Sequence, residues 1–183
     1  MRILGISGSL RRDSHNARLL QASRALLPEG VELELFDDLA GIPPFSEDFE
    51  HTPPASVIAL RHAIAGADAV LLATPEYNGS LPGQLKNALD WVSRPAGTSP
   101  LRGKPVAVVG ASTGSFGAVW AQAEARKVLG LIGARVLDRE LPVPRAHEAL
   151  ADDGLPQDED VRDALAQLLA DLHLFAQPHA IAA

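Results

Sequence analysis

The sequence predicts an α/β three-layer sandwich with a doubly wound, five-stranded parallel sheet in the order 2-1-3-4-5. Three observations lead there. Short apolar runs alternate with helix-period segments five times along 183 residues. The first, third and fourth runs are apolar on both faces, as strands covered by helices on both sides must be. The second, "VELELF" (31–36), alternates with glutamates and belongs at an edge. The length fits one domain spanning 1–183 with no internal linker.

Each element has its own signature. "RILGIS" (2–7) is a buried strand, and 16–27 a helix with Leu19, Leu20, Leu26 and Leu27 on one face beside the small Ser23. After "VELELF" comes a long acidic loop, 37–53, with Pro43, Pro44 and Pro53 and aromatic anchors Phe45 and Phe49; its length allows a lid. A helix over 55–65 ends at Gly66, and "DAVLLATP" (68–75) is a continuous apolar strand. Pro82 opens a helix over 82–94, where its missing N–H costs nothing. "PVAVVGAS" (105–112) is a buried strand, followed by a helix over 116–132 and a fifth strand, "ARVLD" (134–138). The last helix, 158–175, places Val161, Leu165, Leu168, Leu169 and Leu172 on one face, and the tail from about 176 to 183 is expected to fray.

Composition narrows the function. With no cysteine, thiolate nucleophiles, disulfides and Cys-ligated metals are excluded, which fits a cytoplasmic protein. A formal net charge of −7 disfavours nucleic acid as partner. No apolar run approaches the ~18 residues of a membrane helix, and the N-terminal apolar run is too short for a signal peptide. The six histidines lack metal-ligand spacing, so no metal is expected.

In a 2-1-3-4-5 sheet, ligands sit beyond the carboxyl ends of the strands at the switch point. The relevant loops are 7–16, 74–83 and 110–117. The first, "SGSLRRDSHN", gathers Ser7, Ser9 and Ser14, the Asn16 amide, Arg11 and Arg12 at a helix N-terminus, where unpaired N–H groups and the helix dipole favour an anion. Gly8 allows close backbone approach. The pattern is neither a Walker loop nor GxGxxG, and the plainer reading is a helix capped by Ser14 or Asp13 with solvated arginines. The second, "TPEYNGSLPG", is a turn by composition, but it also sets a Tyr, an Asn and a Glu at the crevice mouth. That set suits a planar heteroaromatic ring: a Tyr face with polar groups at its edge.

"GSLRRDSHN", then "PEYNGSLPGQLKNALDW", then "GKPVAVVGASTGSFG" resemble, in order and spacing over about residues 2–140, the NAD(P)H-dependent FMN reductase family of flavodoxin-like proteins, which includes quinone, chromate and azo-dye reductases. The resemblance implies bound FMN and an NADPH or NADH co-substrate. The phosphate would lie on Ser9, Arg11, Ser14 and Asn16, with Leu10 also among the cofactor-binding residues. Pro75, Glu76, Tyr77, Asn78 and Gly79 would line the isoalloxazine, with Ser112 and Gly114 touching it from the third loop. It implies that FMN carries the chemistry with no protein catalytic residue, that small acceptors such as quinones, flavins, azo dyes or chromate are reduced, and that the chain is a homodimer or homotetramer. Where many relatives carry a glycine and an arginine early in the next helix, this chain has Ala118 and Trp120, the latter either core or a modifier of the pocket or subunit contact.

Two rivals remain. "GASTG" (110–114) fits the G-x-S-x-G nucleophile elbow, with Ser112 as nucleophile and Asp138 with His147, or Asp171 with His173, as partners. The other is a flavodoxin-like electron carrier without enzymatic activity, which the acidic surface suits.

Overall fold

The computed structural model describes residues 1–177. Its strands are β1 (Arg2–Ser7), β2 (Glu32–Phe36), β3 (Ala69–Thr74), β4 (Pro105–Ala111), β5 (Arg135–Val136) and β6 (Pro142–Val143). Its helices are α1 (His15–Ser23), α2 (Ala55–Gly66), α3 (Gly83–Val92), α4 (Val119–Ile132), α5 (Ala146–Ala149) and α6 (Glu159–Ala176). The expected frayed tail falls largely on 178–183, outside the described residues. No described helix is long and apolar enough to cross a membrane.

The parallel sheet runs β2-β1-β3-β4-β5, the order the hydrophobic pattern predicts. Every residue of β3 and β4 is buried, whereas Glu32 and Glu34 of β2 face solvent, as expected of an edge. Alternate side chains divide between two cores. Leu4, Ile6, Val70, Leu72, Val106 and Val108 meet α2, α3 and α4. Ile3, Leu71, Val109 and a set of alanines (Ala69, Ala73, Ala107, Ala111) meet α1 and α6. The alanines leave room for those two helices to lie close to the sheet.

Three boundaries differ from expectation. The first helix stops at Ser23 instead of Leu27: the buried Ser23 Oγ donates back to the Leu19 carbonyl (2.8 Å), a 3₁₀ turn takes Arg24–Leu26, and Leu27 is extended ahead of Pro28. The fourth helix begins at Val119 instead of residue 116, because Ala118 holds a left-handed conformation (φ 62°). The fifth strand is split. β5 pairs with the start of β4 and β6 with its end, at Gly110 and Ala111. Between them the polar Asp138–Glu140 leaves the sheet, and Asp138 and Glu140 pair with Arg126. Pro142, lacking an N–H, is tolerated because β6 is an edge.

The acidic loop is pinned, so it is no free lid. Gln84, Asn87 and Trp91 share one face of α3 and stitch it down. Gln84 Nε2 donates to the Leu39 and Ile42 carbonyls (2.8 and 2.7 Å), and Asn87 Nδ2 and Trp91 Nε1 both donate to Pro43 O (2.9 and 2.7 Å). Phe45 packs edge-on to the buried Trp91 at 5.1 Å, which makes Trp91 a packing residue.

Candidate functional site

The loops after β1, β3 and β4 meet at the carboxyl end of the sheet around an open cleft. It is lined by Ser9, Arg11, Ser14, His15 and Asn16 from the first loop, Pro75, Glu76 and Tyr77 from the second, and Ala111, Ser112 and Thr113 from the third. Eight sequence-derived candidates therefore share one cleft. Leu10, about half exposed, lies between two of its lining residues. Asn78, Gly79 and Gly114 are not on its wall.

The first loop is a donor-rich turn into the N-terminus of α1. Ser14 is the N-cap of α1, its hydroxyl oxygen accepting the Ala17 N–H (3.2 Å) and leaving the hydroxyl proton free to donate. Ser9 Oγ accepts the Arg11 N–H (3.4 Å), and Arg11 reaches the Asp13 carbonyl (3.3 Å) from an exposed position. The N–H groups of His15 and Asn16, at the positive end of the helix, have no acceptor among the described residues.

Asn16 does something the motif did not reveal. Its buried carboxamide donates to Ala111 O and accepts from Ala111 N, both at 2.9 Å. Gly110 N and Ser112 N donate toward β6, so the Ala111 groups between them face the β3 side. But β3 ends opposite Gly110. The Asn16 amide continues the ladder in place of the missing strand and locks the first loop to the third. Its backbone N–H remains free for a ligand.

The second loop is a two-residue hairpin. Tyr77 and Ser80 exchange both backbone hydrogen bonds (3.1 and 3.2 Å), and Asn78 and Gly79 take positive φ (55° and 73°), the pattern of a type I′ turn. Two carboxylates anchor it to α4. Glu76 Oε2 accepts the Trp120 and Ala121 N–H groups (3.0 and 3.1 Å), capping a helix whose own N-cap, Ala118, cannot. Glu124 Oε2 accepts the Ser80 hydroxyl (2.6 Å) and the Leu81 N–H (3.0 Å). These bonds, the Ser80 hydroxyl first, hold the Glu124 carboxyl below its ordinary pKa. Since the folded value lies below the unfolded one, the stabilisation is present above the ordinary Glu pKa of about 4.3 and lost as pH falls through the folded value. Glu124→Gln should therefore lower the melting temperature at neutral pH, and the gap from the parent should close as pH falls below about 4. A gap that persists in acid would mean the carboxylate charge does not hold the loop.

In the third loop, Ser112 Oγ accepts the Gly114 N–H (3.0 Å), and Gly114 O accepts the Arg145 N–H (3.0 Å). The hydrolase partners do not assemble. Asp138 is almost fully exposed and paired with Arg126; Asp171 pairs with Arg139, and His173 Nδ1 sits 3.0 Å from Met1 Sδ. Ser112 also lacks the strained, left-handed backbone of a nucleophile elbow. Trp120 is not core: it is 51% exposed and lies 4.9 Å from Phe116, itself 62% exposed.

The comparisons with known proteins agree with this geometry. The family described as NADPH-dependent FMN reductase matches residues 1–148. The chain belongs to the NADPH-dependent FMN reductase family. It is 41% identical over 179 residues to an NAD(P)H-dependent FMN reductase of Pseudomonas aeruginosa, covering 97% of this chain and 96% of that protein. It is 39% identical over 166 residues to a 2-hydroxy-1,4-benzoquinone reductase of a Burkholderia species, covering 90% of each. Among solved structures, the flavoenzyme NAD(P)H:(acceptor) oxidoreductase FerB of Paracoccus denitrificans superposes with a TM-score of 0.84 at 35% identity over 96% of both chains. A flavodoxin of Pseudomonas aeruginosa, 20% identical with a TM-score of 0.60, covers 94% of this chain and 99% of its own, a likeness of fold alone. As a member of the FMN reductase family, the chain is a flavin-dependent NAD(P)H oxidoreductase of flavodoxin-like fold.

Sequence reasoning missed His15 and Thr113 in the cleft wall, and Glu124 behind the second loop. His15 lies inside the very stretch that pointed to a phosphate. Glu124 carries no local signal, because its partners are 43 and 44 residues away.

Proposed function

We propose that this protein holds FMN in the three-loop cleft and reduces small quinones with NADPH or NADH. The observation that carries this reading is the convergence of a donor-rich helix N-terminus and a Tyr-bearing hairpin on one cleft. The donor set fits FMN. The phosphate end has hydroxyls from Ser9 and Ser14, the Arg11 guanidinium, and the free N–H groups of His15 and Asn16; the Leu10 backbone, between Ser9 and Arg11 in the chain, would add to them. The one carboxylate on the wall, Glu76, is engaged by α4 and does not oppose an anion. Pro75, Glu76 and Tyr77 offer a ring-binding wall, Asn78 and Gly79 shape the hairpin that presents it, and Ser112 and Gly114 close the third side.

FMN, when bound, supplies the two-electron chemistry between the nicotinamide and the acceptor. The chain's own residues bind, orient and leave one face open. Glu76 and Glu124 fix the hairpin from behind, so Tyr77 is presented without a folding cost at each turnover. Ser14 and Arg11 fix the phosphate end and hence the register of the ring.

Quinones are favoured because two relatives of high similarity are named for reductase activity toward FMN or a benzoquinone. Free flavins, azo dyes and oxyanions such as chromate are further acceptors that a flat, open site would admit. Leu10, Tyr77, Phe116 and Trp120, exposed near the loops, support a homo-oligomer. An acceptor panel with the pure protein tests the assignment: kcat/KM for 1,4-benzoquinone should exceed that for chromate or an azo dye. NAD(P)H oxidation that needs a partner protein would instead mark an electron carrier.

Arg11 offers a check on the phosphate end. A charge-assisted hydrogen bond contributes roughly 1.5–3 kcal/mol, so Arg11→Ala should weaken FMN about ten- to a hundredfold and leave riboflavin unchanged. Equal losses for both flavins, measured by fluorescence quenching, would place the phosphate elsewhere.

A further inference from the structure

We propose that His15 is a proton-linked phosphate ligand: it gains a hydrogen-bond partner, and a proton from solvent, when the phosphate of FMN enters the cleft. The proposal rests on the FMN reading of the cleft and adds a residue to it. His15 is the first residue of α1, next to the capping Ser14, and lines the cleft with Ser9, Arg11, Ser112 and Thr113. Its Nδ1 is buried and has no hydrogen-bond partner among the described residues. Buried polar atoms are nearly always paired; the His15 ring lines the cleft while this nitrogen is closed to solvent, so a turn of the ring as a ligand seats would give it the acceptor it lacks.

The surroundings decide what that acceptor is. The charged groups facing His15 are Arg18 from its own helix, Arg11 from the first loop and His147 from α5. All are cationic or become so on protonation. The Arg18 guanidinium is held on the Ala151 carbonyl (2.6 Å), so it cannot swing away freely. Burial first, then Arg18, Arg11 and His147, hold the imidazole below its ordinary pKa, which makes it neutral at neutral pH. A phosphate dianion reverses the sign of the local field. It favours the imidazolium, so the pKa of His15 rises on binding and the protein takes up part of a proton. FMN affinity then gains from His15 on the acid side and loses that gain as pH rises through the complexed pKa. Riboflavin, without the phosphate, feels none of this.

The test is calorimetry of the apoprotein with FMN at about pH 7.5, where the phosphate, with a second pKa near 6, is mostly dianionic. Repeating it in buffers of different ionisation enthalpy gives the protons taken up. The parent protein should take up a measurable fraction of a proton per FMN and none per riboflavin. His15→Gln and His15→Phe should abolish the uptake and weaken FMN roughly tenfold, with riboflavin binding unchanged. If uptake persists in the variants, the proton resides on the phosphate and the proposal is overturned. Zero uptake by the parent overturns it too. Should both variants misfold, nitrogen chemical shifts of the His15 imidazole in the parent protein, with and without FMN, decide the matter: a ring that becomes imidazolium in the complex supports the proposal, and one that stays neutral contradicts it. FMN binding no tighter than riboflavin in the parent would instead sink the phosphate reading itself, a separable failure.

Discussion

Asn16→Ala is expected to cost about 3 kcal/mol of stability, because it strips partners from two buried backbone groups at once. Ala111 N–H and C=O each lose a 2.9 Å bond, in a place only 2% exposed at both residues. Each unsatisfied buried group costs about 1–3 kcal/mol. At roughly 2–4 °C per kcal/mol for a chain of this size, the apoprotein should melt about 6–12 °C lower. Asn16→Asp should be no better, since a carboxylate can accept from Ala111 N–H but meets the Ala111 carbonyl with like partial charge. Because the amide ties the first loop to the third, FMN affinity should fall with stability. A melting temperature within about 2 °C of the parent, close to the shift of less than 1 kcal/mol, would mean that water or a shifted strand replaces the amide.

Gly117→Ala should be comparably damaging. Gly117 has φ 59°, where an L side chain is strained, and a Cβ there would sit 2.6 Å from Val143 N and 2.7 Å from Pro142 C. Those are backbone atoms of β6 and cannot rotate away. Left-handed strain of about 1–2 kcal/mol and overpacking of about 1–3 kcal/mol together give about 2–5 kcal/mol. The damage should centre on the third loop, because the buried Gln122 donates to Gly117 O (3.0 Å) and accepts from Leu141 N–H (3.1 Å). Hydrogen exchange should rise first at residues 110–118 and 141–146. Uniform destabilisation with an unaltered third loop would contradict the assignment.

These two positions show what a sequence can and cannot carry. The burial of β3 and β4 was legible because every residue from Ala69 to Thr74, and almost every one from Pro105 to Ala111, is apolar or small. The edge position of β2 was legible from its glutamates. The Asn-Gly pair announced its own turn, and the serines and arginines of the first loop announced a helix N-terminus that meets the cleft. What stayed hidden depends on contacts distant in sequence. Asn16 reads as a ligand residue until Ala111, 95 residues on, is seen to lack a strand partner. Glu76 reads as part of a ring-binding motif until α4 is seen to start at a residue unable to cap it. The split fifth strand follows from Arg126 drawing Asp138 and Glu140 outward, a pairing that "ARVLD" does not contain.

The most direct measurement is an anaerobic spectrum of the FMN-loaded protein through one turnover. NADPH or NADH should bleach the flavin absorbance band, and 1,4-benzoquinone should restore it, one quinone consumed per nicotinamide oxidised, with no other protein present. A bound flavin that neither nicotinamide bleaches, or a protein that stays colourless after exposure to FMN, would contradict the account.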